Sequence, residues 1–75
     1  MELQFQKALN EITKLYSGEI FLVKDLFKGY EWNRLQLNDR LLLGKLFYDR
    51  ITKQYLETVI PIDKNGSNQQ KYKKL

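Results

Sequence analysis

The chain has 75 residues, of which 43% are apolar and 29% charged, a composition that suits one small folded domain over residues 1–75 and not a disordered segment. It contains no cysteine and no histidine, which excludes disulfide staples and the usual thiolate or imidazole zinc sites, so no cofactor or metal is expected. The formal net charge is +4, but residues 1–57 carry only +1 and residues 58–75 carry +3. A basic segment so localised is either the electrostatic footprint of a polyanionic partner or a solvated tail.

No stretch approaches the roughly 20 apolar residues of a membrane-spanning helix. Residues 1–7 lack the basic-then-apolar order of a secretory signal. A cytoplasmic protein with no membrane partner is the expectation.

Along the chain, Phe5, Ala8, Leu9, Ile12, Leu15 and Tyr16 recur at helical spacing and predict a first amphipathic helix over residues 3–16. Ser17-Gly18 follows, and glycine tolerates the left-handed conformation that closes a helix. Residues 19–23, Glu-Ile-Phe-Leu-Val, form a short, partly β-branched run whose length suits a buried strand. A second helix is expected from Lys24 to about Trp32, with Asp25 favourable near its positive end and Gly29 weakening it or ending it.

Asn38 is a candidate N-cap for a third helix, because its side chain can accept from free first-turn amides. That helix is expected to run to Thr52 or Lys53. Leu37, Arg40, Leu43, Gly44, Phe47, Tyr48 and Ile51 share its broad inner face, where Gly44 would let a neighbouring helix come close. Beyond residue 57 the period changes to strand alternation through Ile60 and Ile62. Residues 63–68 are a turn, with Asn65-Gly66 a favoured hairpin dipeptide. Residues 69–75 return as a strand with Tyr72 as an inward anchor. Pro61 cannot donate to a β-ladder, so its strand should lie at the sheet edge, leaving the first strand paired with the last.

The expected fold is α+β: three helices with a small antiparallel sheet and a C-terminal hairpin. This order resembles winged helix-turn-helix domains. The stretch Phe21-x-x-x-Asp25-Leu26-Phe27-x-Gly29-x-x-Trp32, with Arg40-x-x-x-Gly44-x-x-Phe47 and Ser67-x-Gln69-Gln70-x-Tyr72, also resembles a small uncharacterised family of bacterial, phage and plasmid proteins. That likeness implies a nucleic-acid-associated module of a mobile element and no catalytic residue.

If the third helix enters a major groove, Asn38, Lys45, Arg50 and Lys53 are its candidate contacts to double-stranded DNA. Asp39 and Asp49 oppose this unless paired internally, Asp49 with Lys45 or Lys53 at four-residue spacing. The hairpin offers Lys64, Asn65, Ser67, Asn68, Gln69 and Lys71, and Lys73 and Lys74 extend the positive stripe. Phosphate contacts need cations more than geometric precision, though the same lysines can simply protect an edge strand. Arg40 is either a phosphate contact or a partner of Glu31 or Asp25. Trp32, Tyr30 and Tyr55 read as core before they read as a stacking platform. A rival function uses Leu42 and Leu46, with Trp32, as a protein interface, in a homodimer or on a larger partner. Nothing in the chain provides a nucleophile–base set or a phosphate loop, so it is not expected to be an enzyme.

Overall fold

A computed structural model describes residues 1–75. The elements are α1 (Glu2–Ile12), β1 (Ile20–Phe21), a 3-10 turn (Val23–Leu26), α2 (Gly29–Arg34), α3 (Leu37–Gln54), β2 (Val59–Lys64) and β3 (Gln70–Lys74). The fold is α+β, with three helices against an antiparallel sheet of order β1-β3-β2. This order is compatible with a winged helix. No helix is long and apolar enough to cross a membrane.

The core is assembled from one stripe of each long helix and the inner face of the sheet. Phe5, Ala8 and Ile12 of α1 meet Phe47 and Ile51 of α3, and Phe21, Val59 and Tyr72 close the sheet side. Aromatic geometry fixes this joint. The Phe47 ring meets Tyr72 edge-on at 4.9 Å, Phe5 meets Phe47 at 6.0 Å, and Phe21 stacks on Tyr72 at 5.7 Å. Each such ring contributes about 2–3 kcal/mol through apolar burial. With no staple available, that burial carries the fold.

Tyr72 sits on the central strand, opposite Phe21 on one side and Pro61 on the other. Pro61 therefore occupies the outermost strand, where its missing N–H costs no ladder bond. A bulge between Pro61 and Lys64 puts one extra residue in β2 before Lys64 pairs with Gln70.

Local chemistry departs from the expected boundaries in several places. α1 ends at Ile12, and two turn hydrogen bonds, from Lys14 and Leu15 to the carbonyls of Glu11 and Ile12, carry the chain onward. Leu15 still packs on the core, but Tyr16 is 80% exposed. Gly18 does adopt the left-handed conformation, at φ 92°, yet it leads into β1 and does not close α1. Its N–H donates to the Lys74 carbonyl at 2.7 Å.

The expected second helix is two short pieces. Asp25 accepts from the Leu22 N–H at 2.9 Å to cap the 3-10 turn, and Glu31 accepts from the Lys28 N–H at 3.0 Å to cap α2. Each is an acid reaching back three residues to the residue before its element. Gly29 opens α2 and does not interrupt it. Asn38 is not the N-cap of α3, since Gln36 holds that position. Gly44 faces open space, so no helix approaches it.

The hairpin loop also differs from an Asn-Gly two-residue turn. Gly66 has no positive φ, and the left-handed residue is Asn68, at φ 63°. The Asn68 N–H donates to the Asn65 carbonyl at 3.0 Å, and the Asn65 N–H donates to Gln69 at 2.9 Å. This is a three-residue loop with a left-handed closing residue.

Candidate functional site

A groove of about 620 Å³ opens between the first turns of α3 and the hairpin. Its position follows from the core. Leu43, Phe47 and Ile51 define the inner stripe of α3. Leu37, Leu41, Lys45 and Tyr48 are then rotated to the side facing the hairpin, and all four line the groove. Leu37 is 68% and Leu41 64% exposed, so the inner face is narrower than sequence spacing alone suggests.

The electrostatics are one-sided. Lys24, Arg40, Lys45 and Lys64 line the groove, and no Asp or Glu does. None of these four cations is in an ion pair. Arg40 is held by helix-end carbonyls: Nε donates to the Trp32 carbonyl at 3.2 Å and Nη2 to that of Asn33 at 3.4 Å. Its guanidinium lies over the Trp32 ring, 5.7 Å from the centroid. It pairs with neither Glu31 nor Asp25. Glu31 is bound by Lys7, and the Asp25 carboxylate serves the 3-10 cap. A neighbouring depression shares Lys24, Trp32, Arg40 and Gln69 and, unlike the groove, also takes in a carboxylate, that of Asp25.

The hairpin lysines do not form a single stripe. Alternation along β3 puts Gln70, Tyr72 and Lys74 on the inner face and Lys71 and Lys73 on the outer one. Lys64, paired with Gln70, stays on the groove side. Lys71 is 3.3 Å from Asp63. Lys73 lies between Ile20 and Ile60 of the flanking strands, and Lys74 is at the far end of the strand, opposite Val59.

The loop amides divide in the same way. The Asn65 side-chain oxygen accepts from the Ser67 and Gln69 N–H groups, each at 2.9 Å, and its amide donates to the Gln69 side chain at 3.1 Å. Asn65 therefore builds the loop and is not free to meet a ligand. Ser67 is exposed at the tip, while Asn68 and Gln69 line the groove.

On α3, Arg50 is committed within the chain. Its two terminal nitrogens grip the Glu2 carboxylate at 2.7 Å each, and its guanidinium covers Phe5. Hydrogen bonding from Arg50 holds the Glu2 carboxyl below the usual carboxylate range. Asn38 and Lys53 are exposed but lie outside the groove. Asp49 forms no ion pair with Lys45 or Lys53.

The rival apolar patch is not brought together. Leu46 packs against the core, Trp32 packs on Phe27 and Arg40, and only Leu42, at 57% exposure, is free. Sequence reasoning missed Lys24, Leu37, Leu41 and Tyr48 as groove residues. A helical wheel centred on Leu43, Phe47 and Ile51 would have separated the three on α3, whereas Lys24 arrives only through the tertiary fold.

Tyr72 closes the groove floor. Burial pushes its phenol above the ordinary tyrosine range, with Tyr48 adding to the shift. No group of three Asp or Glu side chains converges to hold a metal ion.

The model of a family described as a domain of unknown function, DUF1413, matches residues 6–74. No curated protein and no solved structure matches the chain. Of the signature residues, Phe21, Leu26, Phe47 and Tyr72 are core, whereas Trp32, Arg40, Gly44, Gln69 and Gln70 line the groove.

Proposed function

The chain belongs to the DUF1413 family, and for this member we propose a DNA-binding role of the winged helix-turn-helix kind, in a small regulator or accessory factor of a phage or plasmid. Double-stranded DNA would lie across α3 and the hairpin, with no catalytic step. One observation carries the reading: the groove between these two elements is lined by Lys24, Arg40, Lys45 and Lys64 and by no carboxylate. Such a surface attracts a phosphate backbone and releases its counterions. Asn68 and Gln69 at the hairpin end add neutral hydrogen-bonding groups. Lys53 and Asn38 extend the contact along the exposed side of α3.

The test compares the lysines that line the groove with those on the outer face of β3. Lys24→Glu/Lys45→Glu/Lys64→Glu should weaken binding of a random-sequence duplex by more than about 100-fold at low salt, whereas Lys71→Glu/Lys73→Glu should weaken it only a few-fold. An unchanged affinity in the triple variant would refute this interface.

A second reading rests on Leu41 and Leu42, exposed by 64% and 57% on the same helix. Exposed leucines on one helix suit a protein interface, in a homodimer or on a larger partner. Sedimentation of the wild type against Leu41→Asp/Leu42→Asp decides it, since a monomer in both cases removes the homodimer.

A further inference from the structure

We propose that the groove between α3 and the hairpin receives one unpaired nucleotide, so that DNA carrying an extruded or unpaired base binds more tightly than a fully paired duplex. The proposal rests on the DNA-binding reading and adds a substrate class to it.

Three observations point to this ligand. The first is Gly44. It sits inside an 18-residue helix, where glycine is less favourable than alanine. No packing explains it, because a methyl group built there would meet no atom within 4 Å. The open space it leaves belongs to the groove. A helix-weakening residue with no partner of its own is accounted for by a partner from outside.

The second is Tyr48, one turn further along the same side of α3. It is 43% exposed and lines the groove. Every other groove aromatic is already occupied: Trp32 by Phe27 and Arg40, Tyr72 by Phe21 and Phe47. Tyr48 alone pairs with no ring and no cation. A free ring beside a residue without a side chain is a platform for a flat apolar group.

The third is the surrounding chemistry. At about 620 Å³ the groove falls within the size range of small-ligand sites. Its rim is cationic, and its hairpin wall carries the Asn68 amide, which bonds nothing within the chain, and the amide nitrogen of Gln69, whose oxygen Asn65 holds; the Gln70 nitrogen is taken by the Ile62 and Lys71 carbonyls. A nucleotide combines these complements: an anionic phosphate for Lys45 and Lys64, a planar base for Tyr48, and a base edge for the amides. The bases of an intact duplex are stacked on each other and cannot offer a face to Tyr48.

Fluorescence anisotropy with two labelled duplexes, identical except for one central unpaired thymidine, tests the proposal. The wild type should favour the bulged duplex by about tenfold, the effect expected of one base stacking on one aromatic ring. Gly44→Leu fills the space and should abolish that preference, bringing the ratio of bulged to fully paired affinity to about one. Tyr48→Ala should do the same, and Tyr48→Phe should retain the preference. A circular-dichroism melt of each variant checks that it is folded, and Tyr48→Ala keeps the test decisive if Gly44→Leu is not.

Equal affinity of the wild type for the two duplexes overturns the proposal while leaving the duplex interface intact. A preference that survives both Gly44→Leu and Tyr48→Ala also overturns it. Binding of neither duplex at low salt means that the DNA reading itself has failed. Saturable binding of a polyglutamate peptide that Gly44→Leu abolishes, with no preference for the bulge, assigns the groove to an acidic protein segment instead.

Discussion

Arg50 of α3 and Glu2 of α1 are joined by two parallel hydrogen bonds of 2.7 Å, and the same guanidinium lies 4.9 Å from the centroid of the Phe5 ring. One side chain thus ties the first turn of the chain to the helix that carries the groove. It also removes from the ligand-facing surface a cation that sequence alone offers to DNA.

That pair sets a pH dependence. Arg50 lowers the Glu2 pKa in the folded state, so the pair's contribution is present at pH values above the ordinary glutamate range and is lost as pH falls through the lowered value. Glu2→Gln should flatten the acid limb of a stability-versus-pH profile measured by thermal melts, with little change near neutrality in its slope. An acid limb identical to that of the wild type would show that Glu2 is not a linked group.

Tyr72 separates packing from polarity. Its ring is buried against Phe21 and Phe47, and its phenol donates no hydrogen bond within the chain. Tyr72→Phe should change unfolding free energy by less than about 1 kcal/mol, because only an unpaired hydroxyl is removed. Tyr72→Ala should cost about 3–5 kcal/mol, enough to unfold most of a domain this small. Denaturant titration reads both, and a large loss in the phenylalanine variant would contradict the packing described.

The hairpin loop depends on two asparagines in different ways. Asn68, at φ 63°, is replaceable by glycine, and Asn68→Gly should be neutral or slightly stabilising. Asn68→Val should cost about 1–3 kcal/mol, since a β-branched residue is strained there. Asn65→Ala should cost about 1–2 kcal/mol by freeing two backbone N–H groups. Thermal denaturation of the three variants checks the order, which a tolerant valine would overturn.

Gly44→Ala gives a prediction of opposite sign. With open space at the position and helical backbone around it, alanine should stabilise the protein by about 0.5–1 kcal/mol. A destabilised Gly44→Ala variant would mean that the helix requires glycine for a structural reason.

Much of this architecture is legible in the sequence because its signals are local or periodic. The α1 stripe of Phe5, Ala8 and Ile12, the switch of period near Val59, the inward Tyr72 and the edge position of Pro61 all follow from spacing and from the missing proline N–H. The second helix was obscured because Asp25 and Glu31 each cap a short element, and propensity alone merges the two. The lysine-rich end reads as one positive stripe until strand alternation divides Lys64 from Lys71 and Lys73. Lys24 reaches the groove only because the 3-10 turn is folded beside the hairpin, a relationship across some forty residues that no local pattern encodes.

The central claim is that the cations between α3 and the hairpin meet a phosphate backbone, and the salt dependence of duplex affinity in the wild-type protein tests it most directly. With Lys24, Arg40, Lys45 and Lys64 each neutralising one phosphate, the logarithm of the association constant should fall with the logarithm of salt concentration at a slope of about −3.6. A slope near zero, or no binding at the lowest salt, would contradict it.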